Sequence, residues 1–188
     1  MPANHKRYDA VAIILHWVMA IAFFLMLCSG FALAFIDSIP RSFAFSMIQW
    51  HKSLGLILLT AFFVRIGWRL FHKPPPLPTS FKKLDKRAAK LGHWALYIFM
   101  LAMPISGWIM VSSSVYGLPT FIFGWFEWPH IPGIAGNSAI NDLSRDAHEI
   151  MAWIFLVLIA IHIGAVLKHY VIDRENLLYR MFFTKGQL

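Results

Sequence analysis

Two histidines, His148 and His162, stand fourteen residues apart, and the run between them from Ile150 to Ile161 is wholly apolar. An imidazole inside such a run is costly in hydrocarbon, so a partner is expected for it. Fourteen residues advance a helix by about 21 Å and leave it roughly 40° short of whole turns. Both rings therefore leave one face of one helix at two depths, as two stacked metal centres near the two sides of a membrane would require. Two further histidines, His16 and His51, also lie in apolar stretches.

The elements that must position these rings are long and apolar. The 188 residues are 59% hydrophobic and 14% charged, with mean hydropathy +0.61, which excludes an ordinary soluble domain. Four stretches, about 10–36, 47–70, 91–115 and 147–171, each come near the roughly 20 residues that span a bilayer. The expected fold is all-α, an integral membrane four-helix bundle forming one domain over 1–188. The start resembles a signal peptide, with Lys6 and Arg7 before the apolar run. That run is too long and lacks an Ala-x-Ala site, so it is read as a retained first span. Pro104 and Gly107 predict a kink in the third span. Residues 116–146 form an outer loop whose aromatics suit a membrane interface, with Asn141 or Asp142 capping the fourth span. No internal repeat stands out.

Cys28 is the single cysteine, so no intramolecular disulfide can form, and no Cys-x-x-Cys-His motif is present to attach haem covalently. The net charge of +8 fits loop topology and anionic lipid better than nucleic acid. Lys6, Arg7, the basic segment Arg65–Lys90 and the tail residues Arg174, Arg180 and Lys185 fall on one side. Arg41, Lys52 and Arg145 fall on the other. The positive-inside rule then makes both termini and the second connection cytoplasmic.

Depth sorts the histidines into two pairs, His51 with His148 outside and His16 with His162 inside. Two imidazoles on one haem iron leave no open coordination site, which suits electron transfer. Gly55, one turn after His51, either makes room for a flat macrocycle or is a packing glycine. His5, His72, His93 and His169 fall at the cytoplasmic boundary and His130 in the outer loop. The same four histidines could instead line a divalent-metal or proton pathway, but the intramembrane carboxylates usual for such a route are missing.

Several short motifs carry a resemblance: Leu15-His16-Trp17, Gln49-Trp50-His51-Lys52-Ser53-Leu54-Gly55, Leu91-Gly92-His93-Trp94, Met103-Pro104-Ile105-Ser106-Gly107, and Ala147-His148-Glu149 followed by Ile161-His162. Together they resemble the bacterial cytochrome b561 family, related to the cytochrome b subunits of membrane hydrogenases and formate dehydrogenases. The resemblance covers almost the whole chain. It implies a multi-pass protein of the bacterial inner membrane with two haem b groups, ligated by His16, His51, His148 and His162. It also implies exchange with ubiquinone or another membrane quinone, and some members are similar in acting as superoxide oxidases. Superoxide would give its electron on the outer side, where Lys52, Arg41 and Arg145 could attract an anion or bind haem propionates or lipid phosphates. His93 is a candidate quinone contact or propionate partner. The other reading is a haem-bearing relay subunit that docks a dehydrogenase or an electron carrier and selects no substrate itself.

Overall fold

The computed structural model describes residues 7–183, so the expectations attached to His5, Lys6 and Lys185 lie outside the described residues. Four long helices carry the fold: α1 (Ala10–Phe35), α2 (Arg41–Phe71), α3 (Lys83–Ser112) and α4 (Ser138–Val171). All four are long and apolar enough to cross a membrane. Their large side chains point outward as freely as inward, Phe24, Ile21, Ile150 and Ile161 among them. In water such a surface would drive aggregation. In lipid it costs nothing, because the tails are as apolar as the side chains.

Three helices begin earlier than hydropathy predicts. α2 starts at Arg41 rather than near 47, α3 at Lys83 rather than near 91, and α4 at Ser138 rather than near 147. The extra turns of α3 and α4 are polar and that of α2 mixes Arg41, Ser42 and Ser46 with Phe43 and Phe45, and a hydropathy window finds the part of a helix that sits in hydrocarbon, not the whole helix. The loop expected at 116–146 is thereby shortened to 113–137. The cap of α4 also differs from expectation. Asn137 accepts from the Ile140 amide at 3.1 Å, while Asn141 donates to the Met110 carbonyl at 2.6 Å and ties α4 to the end of α3. At the other face, Asp9 caps α1 and also accepts from the Trp68 indole at 2.9 Å, joining the start of α1 to the end of α2.

The outer loop contains a small antiparallel hairpin, β1 (Thr120–Ile122) and β2 (Phe126–Trp128). Its tip places Phe123 and Gly124 at φ +48° and +78°, the left-handed pair that matches strand twist. Ser53 of α2, 1% exposed, holds this hairpin down. Its hydroxyl accepts from the Phe123 amide at 3.1 Å and lies 2.9 Å from the Phe121 carbonyl. Trp125 at the tip is 88% exposed, as an interfacial aromatic would be.

The chain after α4 folds back under the inner end of the bundle. Arg180, 4% exposed, donates to the carbonyls of Pro75 and Pro76 at 2.8 and 2.9 Å. Its own carbonyl accepts from the Tyr8 amide, and the Met181 carbonyl accepts from the Trp17 indole at 2.7 Å. Ser80 donates to Glu175 at 2.7 Å. Asp173 accepts from Lys168 at 2.6 Å and pairs with His169 at 2.5 Å. The tail thus binds α1, the proline-rich connection and α4 into one inner face.

The core lies midway through the bundle. Phe155 is 2% exposed and packs with Phe23, Leu58, Met19 and Phe62, with Met100 and Phe99 against them. Phe155 is seven residues from both His148 and His162. Phe23, Leu58 and Met100 follow His16, His51 and His93 by seven each. One apolar layer, fed by all four helices, therefore separates the two histidine levels.

Candidate functional site

The structure brings the four intramembrane histidines together in the two pairs that depth predicts. The rings of His51 and His148 have their centres 6.3 Å apart, and those of His16 and His162 are 6.4 Å apart. A metal held end-on between two imidazoles, with bonds of about 2 Å on each side, separates ring centres by about 6 Å.

At the outer pair the tautomers can be read from the hydrogen bonds. Ser29 of α1 lies 2.9 Å from His51 Nδ1, and Ser106 of α3 lies 2.8 Å from His148 Nδ1. Each hydroxyl has one proton and donates it to the carbonyl one turn back, Met26 or Met103. Each serine oxygen is then left as an acceptor, so the ring proton sits on Nδ1 and the Nε2 lone pair is free. The next residues, Gly30 and Gly107, let the rings lie close. A Cβ at either would be 3.4 Å from Cε1 of the facing histidine.

Beside this pair is a cavity of about 330 Å³ lined by His51, His148, Gly30, Gly55 and Gly107. Lys52, Arg145, Glu149 and Thr120 also line it. The Thr120 hydroxyl is buried without a partner. Lys52 donates to the Pro119 carbonyl at 3.2 Å, and Arg145 pairs with Asp142 at 2.8 Å and approaches Asp146 at 3.8 Å. An apolar slot between two free imidazole nitrogens, with two cations and an orphan hydroxyl along it, fits a flat macrocycle bearing carboxylates. Among the described residues, no cluster of three or more His, Cys, Asp or Glu could hold a bare metal ion. A Cβ at Gly55 would meet the Met26 methyl at 3.3 Å, so this glycine also serves close packing between α1 and α2.

The inner level is built differently. His93 of α3 joins it, its ring centre 5.6 Å from that of His162. Arg65 reaches within 3.5 Å of His16 Nδ1 and 3.3 Å of the Tyr97 hydroxyl. At 3.5 Å the contact with His16 places a charge beside the ring rather than a good hydrogen bond. Arg69 lies over the Tyr97 ring at 5.5 Å. Arg65 therefore faces the histidines rather than lipid.

Of the remaining histidines, His72 and His169 have local partners, whereas the buried Nε2 of His130 has none among the described residues. His72 stacks on Trp68 and His169 on Phe81, with His169 also bonded to Asp173. The tryptophans beside the candidate ligands pack or anchor: Trp17 holds the tail, Trp50 packs on Phe123 and Trp153 on Phe31. Sequence reasoning missed Ser29 and Ser106. The signal was there as Met-x-x-Ser-Gly, which occurs at Met26–Gly30 and again at Met103–Gly107.

Comparison with known proteins gives the family of the chain. The sequence pattern of the prokaryotic cytochrome b561 family matches residues 7–184. "Cytochrome b561 homolog 2" of Escherichia coli K12 is 34% identical over 94% of this chain and 91% of its own. "Probable superoxide oxidase CybB" of Yersinia pestis is 27% identical over 96% of this chain and 98% of its own. "Probable Ni/Fe-hydrogenase B-type cytochrome subunit" of Rhodobacter capsulatus is 23% identical over 93% and 78%. The chain belongs to the prokaryotic cytochrome b561 family, and is a multi-pass, b-type haem electron-transport protein of the bacterial inner membrane.

Proposed function

We propose that the protein carries electrons through two haem b groups from superoxide on the outer side to a membrane quinone, such as ubiquinone, on the inner side. In this reading the chain is one membrane unit with both termini in the cytoplasm, following the charge bias of its connections. His51 and His148 hold the outer group and His16 and His162 the inner. The observation that carries the reading is the pair of ring separations, 6.3 and 6.4 Å, at two levels of one bundle. Haem held by these histidines would supply one-electron chemistry.

The chain's own residues do the rest. Lys52 and Arg145 at the outer cavity attract a small anion and, with Thr120, neutralise carboxylates. The layer of Phe23, Leu58, Met100 and Phe155 excludes water between the two levels. His93, beside His162 at the inner level, passes a proton to reduced quinone. Two superoxide ions each give up one electron and leave as oxygen, and quinone takes two electrons and two protons to become quinol. The Yersinia pestis relative, named a probable superoxide oxidase, supports the donor.

The test is a dithionite-reduced minus oxidised spectrum of the purified protein with a haem-to-protein ratio, followed by quinone reduction driven by a superoxide source. About two haems per chain and quinol formation without any partner protein are expected from paired axial ligation. A ratio near one would overturn the paired ligands. Two haems with no superoxide-dependent quinol would replace this donor with a docked protein donor, the relay reading.

A further inference from the structure

The Met-x-x-Ser-Gly coincidence extends over the whole bundle. Ser29 stands thirteen residues after His16-Trp17 begins, and Ser106 thirteen after His93-Trp94 begins. His51 is followed fourteen residues later by Arg65, then Ile66-Gly67. His148 is followed fourteen residues later by His162, then Ile163-Gly164. The pair α1–α2 and the pair α3–α4 are therefore two copies of one helical hairpin. Contacts repeat with the sequence: Ser29 on His51 matches Ser106 on His148, and a Cβ added at Gly30 or at Gly107 would meet the facing ring at the same 3.4 Å. The midplane residues also correspond, Phe23 with Met100 and Leu58 with Phe155.

The two levels keep this symmetry to different degrees. Outside, the histidines are each other's counterparts, both held by neutral serine oxygens. The flanking charges are counterparts of opposite sign, Lys52 and Glu149, and both line the cavity. Inside, the counterpart of His162 is Arg65 and the counterpart of His16 is His93. No carboxylate forms an ion pair with Arg65 or Arg69 among the described residues. The contact of Arg65 with His16 occupies the place that His162 takes against His93 in the other copy.

We propose that Arg65 is the residue that makes the two centres unequal, setting the inner one at the higher potential and so directing electrons inward. This rests on the two-haem reading above. Adding one electron lowers a centre's charge by one, so a fixed cation beside His16 favours the reduced form. At the outer level Lys52 and Glu149 offset each other and Arg145 is ion-paired with Asp142 at 2.8 Å, while the serine acceptors strengthen both imidazoles as donors, which favours the oxidised form. Arg65 touches a candidate ligand and is a positioning residue for the inner centre's charge.

The experiment is spectroelectrochemical titration of the full-length protein in lipid nanodiscs. Wild type should titrate in two separate one-electron steps. Arg65→Gln should lower the higher midpoint and leave the other in place, while Arg65→Lys, which keeps the charge, should restore it. Ser106→Ala removes the acceptor on His148 and should raise the lower midpoint alone, with Ser106→Thr reversing the shift. The proposal is overturned if Arg65→Gln moves neither midpoint or moves the one that Ser106→Ala moves. It is also overturned if the midpoint sensitive to Ser106→Ala is the higher one in wild type, a result that needs no Arg65 variant to fold. Absence of two haems from wild type would instead defeat the underlying ligand assignment.

Discussion

Gly107 gives a graded test of the outer site. A Cβ there would lie 3.4 Å from His148 Cε1 and 3.7 Å from Nδ1, ordinary to slightly tight contact. Gly107→Ala should therefore keep the ring in place, and the gain in helix propensity of about 0.5–1 kcal/mol offsets any crowding. Gly107→Val adds two carbons about 1.5 Å beyond Cβ, held in essentially one helical rotamer. The nearest approach to the imidazole then falls to roughly 2–3 Å, well inside the 3.5 Å at which carbons attract. Overpacking of this kind costs about 1–3 kcal/mol if the ring stays. The ring will move instead, because metal–nitrogen bonds tolerate only about 0.2 Å and the Ser106 bond is lost with the shift. The assay is the haem-to-protein ratio with the reduced α-band. Alanine should retain the wild-type ratio, and valine should lose the outer haem alone, halving it. A valine variant with full haem and an unchanged band would refute the close-approach reasoning.

Further perturbations address the parts that support the site. Lys52→Glu should lower the second-order rate with superoxide by about tenfold at low salt, an effect that fades as salt rises; stopped-flow traces at several ionic strengths check it. Ser53→Ala leaves the Phe123 amide without its buried acceptor and should cost about 1–3 kcal/mol. The hairpin tip at Phe123–Trp125 should then become cleavable by protease. Arg180→Ala removes a buried guanidinium that donates to the Pro75 and Pro76 carbonyls and should destabilise the inner face by about 1–3 kcal/mol, read as a lower temperature for loss of the tail's protection from proteolysis. The Asp173 carboxyl is held below its usual range, first by the bond from Lys168 and then by that with His169. Its folded pKa is depressed, so its contribution to tail docking is present above the ordinary carboxylate value of about 3.9. That contribution is lost as pH falls through the lower folded value. Hydrogen exchange of the tail should stay slow down to pH 4 and rise only below it, and Asp173→Asn should flatten that dependence.

The spans and the histidine pairing were legible in sequence because hydrocarbon imposes strong rules. A run of about 20 apolar residues has few alternatives, and a histidine inside it needs a reason. Helix starts at Arg41, Lys83 and Ser138 were not legible, because polar turns outside the bilayer leave no hydropathy trace. The cap at Asn137 was hidden by equally good candidates at Asn141 and Asp142. Ser29 and Ser106 looked like ordinary small residues, since their work is done across helices. The duplicated hairpin escaped notice for a related reason. Its two copies are joined inside by unequal connections, residues 36–40 in one and 113–137 in the other, so no constant period marks it. Only the contacts of Ser29 and Ser106 with equivalent histidines made the correspondence visible.

The dry layer at Phe23, Leu58, Met100 and Phe155 has an electrical consequence. A packed apolar layer of this kind excludes water and ions, so the transmembrane voltage drops across it. A unit charge crossing the whole membrane exchanges about 2.3 kcal/mol per 100 mV. The histidine levels are about 21 Å apart in a hydrocarbon core of about 30 Å, so an electron passing between them feels roughly two-thirds of that. Cells hold the cytoplasm negative, so in the proposed orientation and direction the inward step would run uphill in voltage, at a cost of about 1.5 kcal/mol per 100 mV, close to a factor of ten in the equilibrium between levels. A strongly energised membrane should hold electrons at the outer level, and a depolarised one should draw them through, so the same layer that insulates the path also lets membrane voltage throttle it.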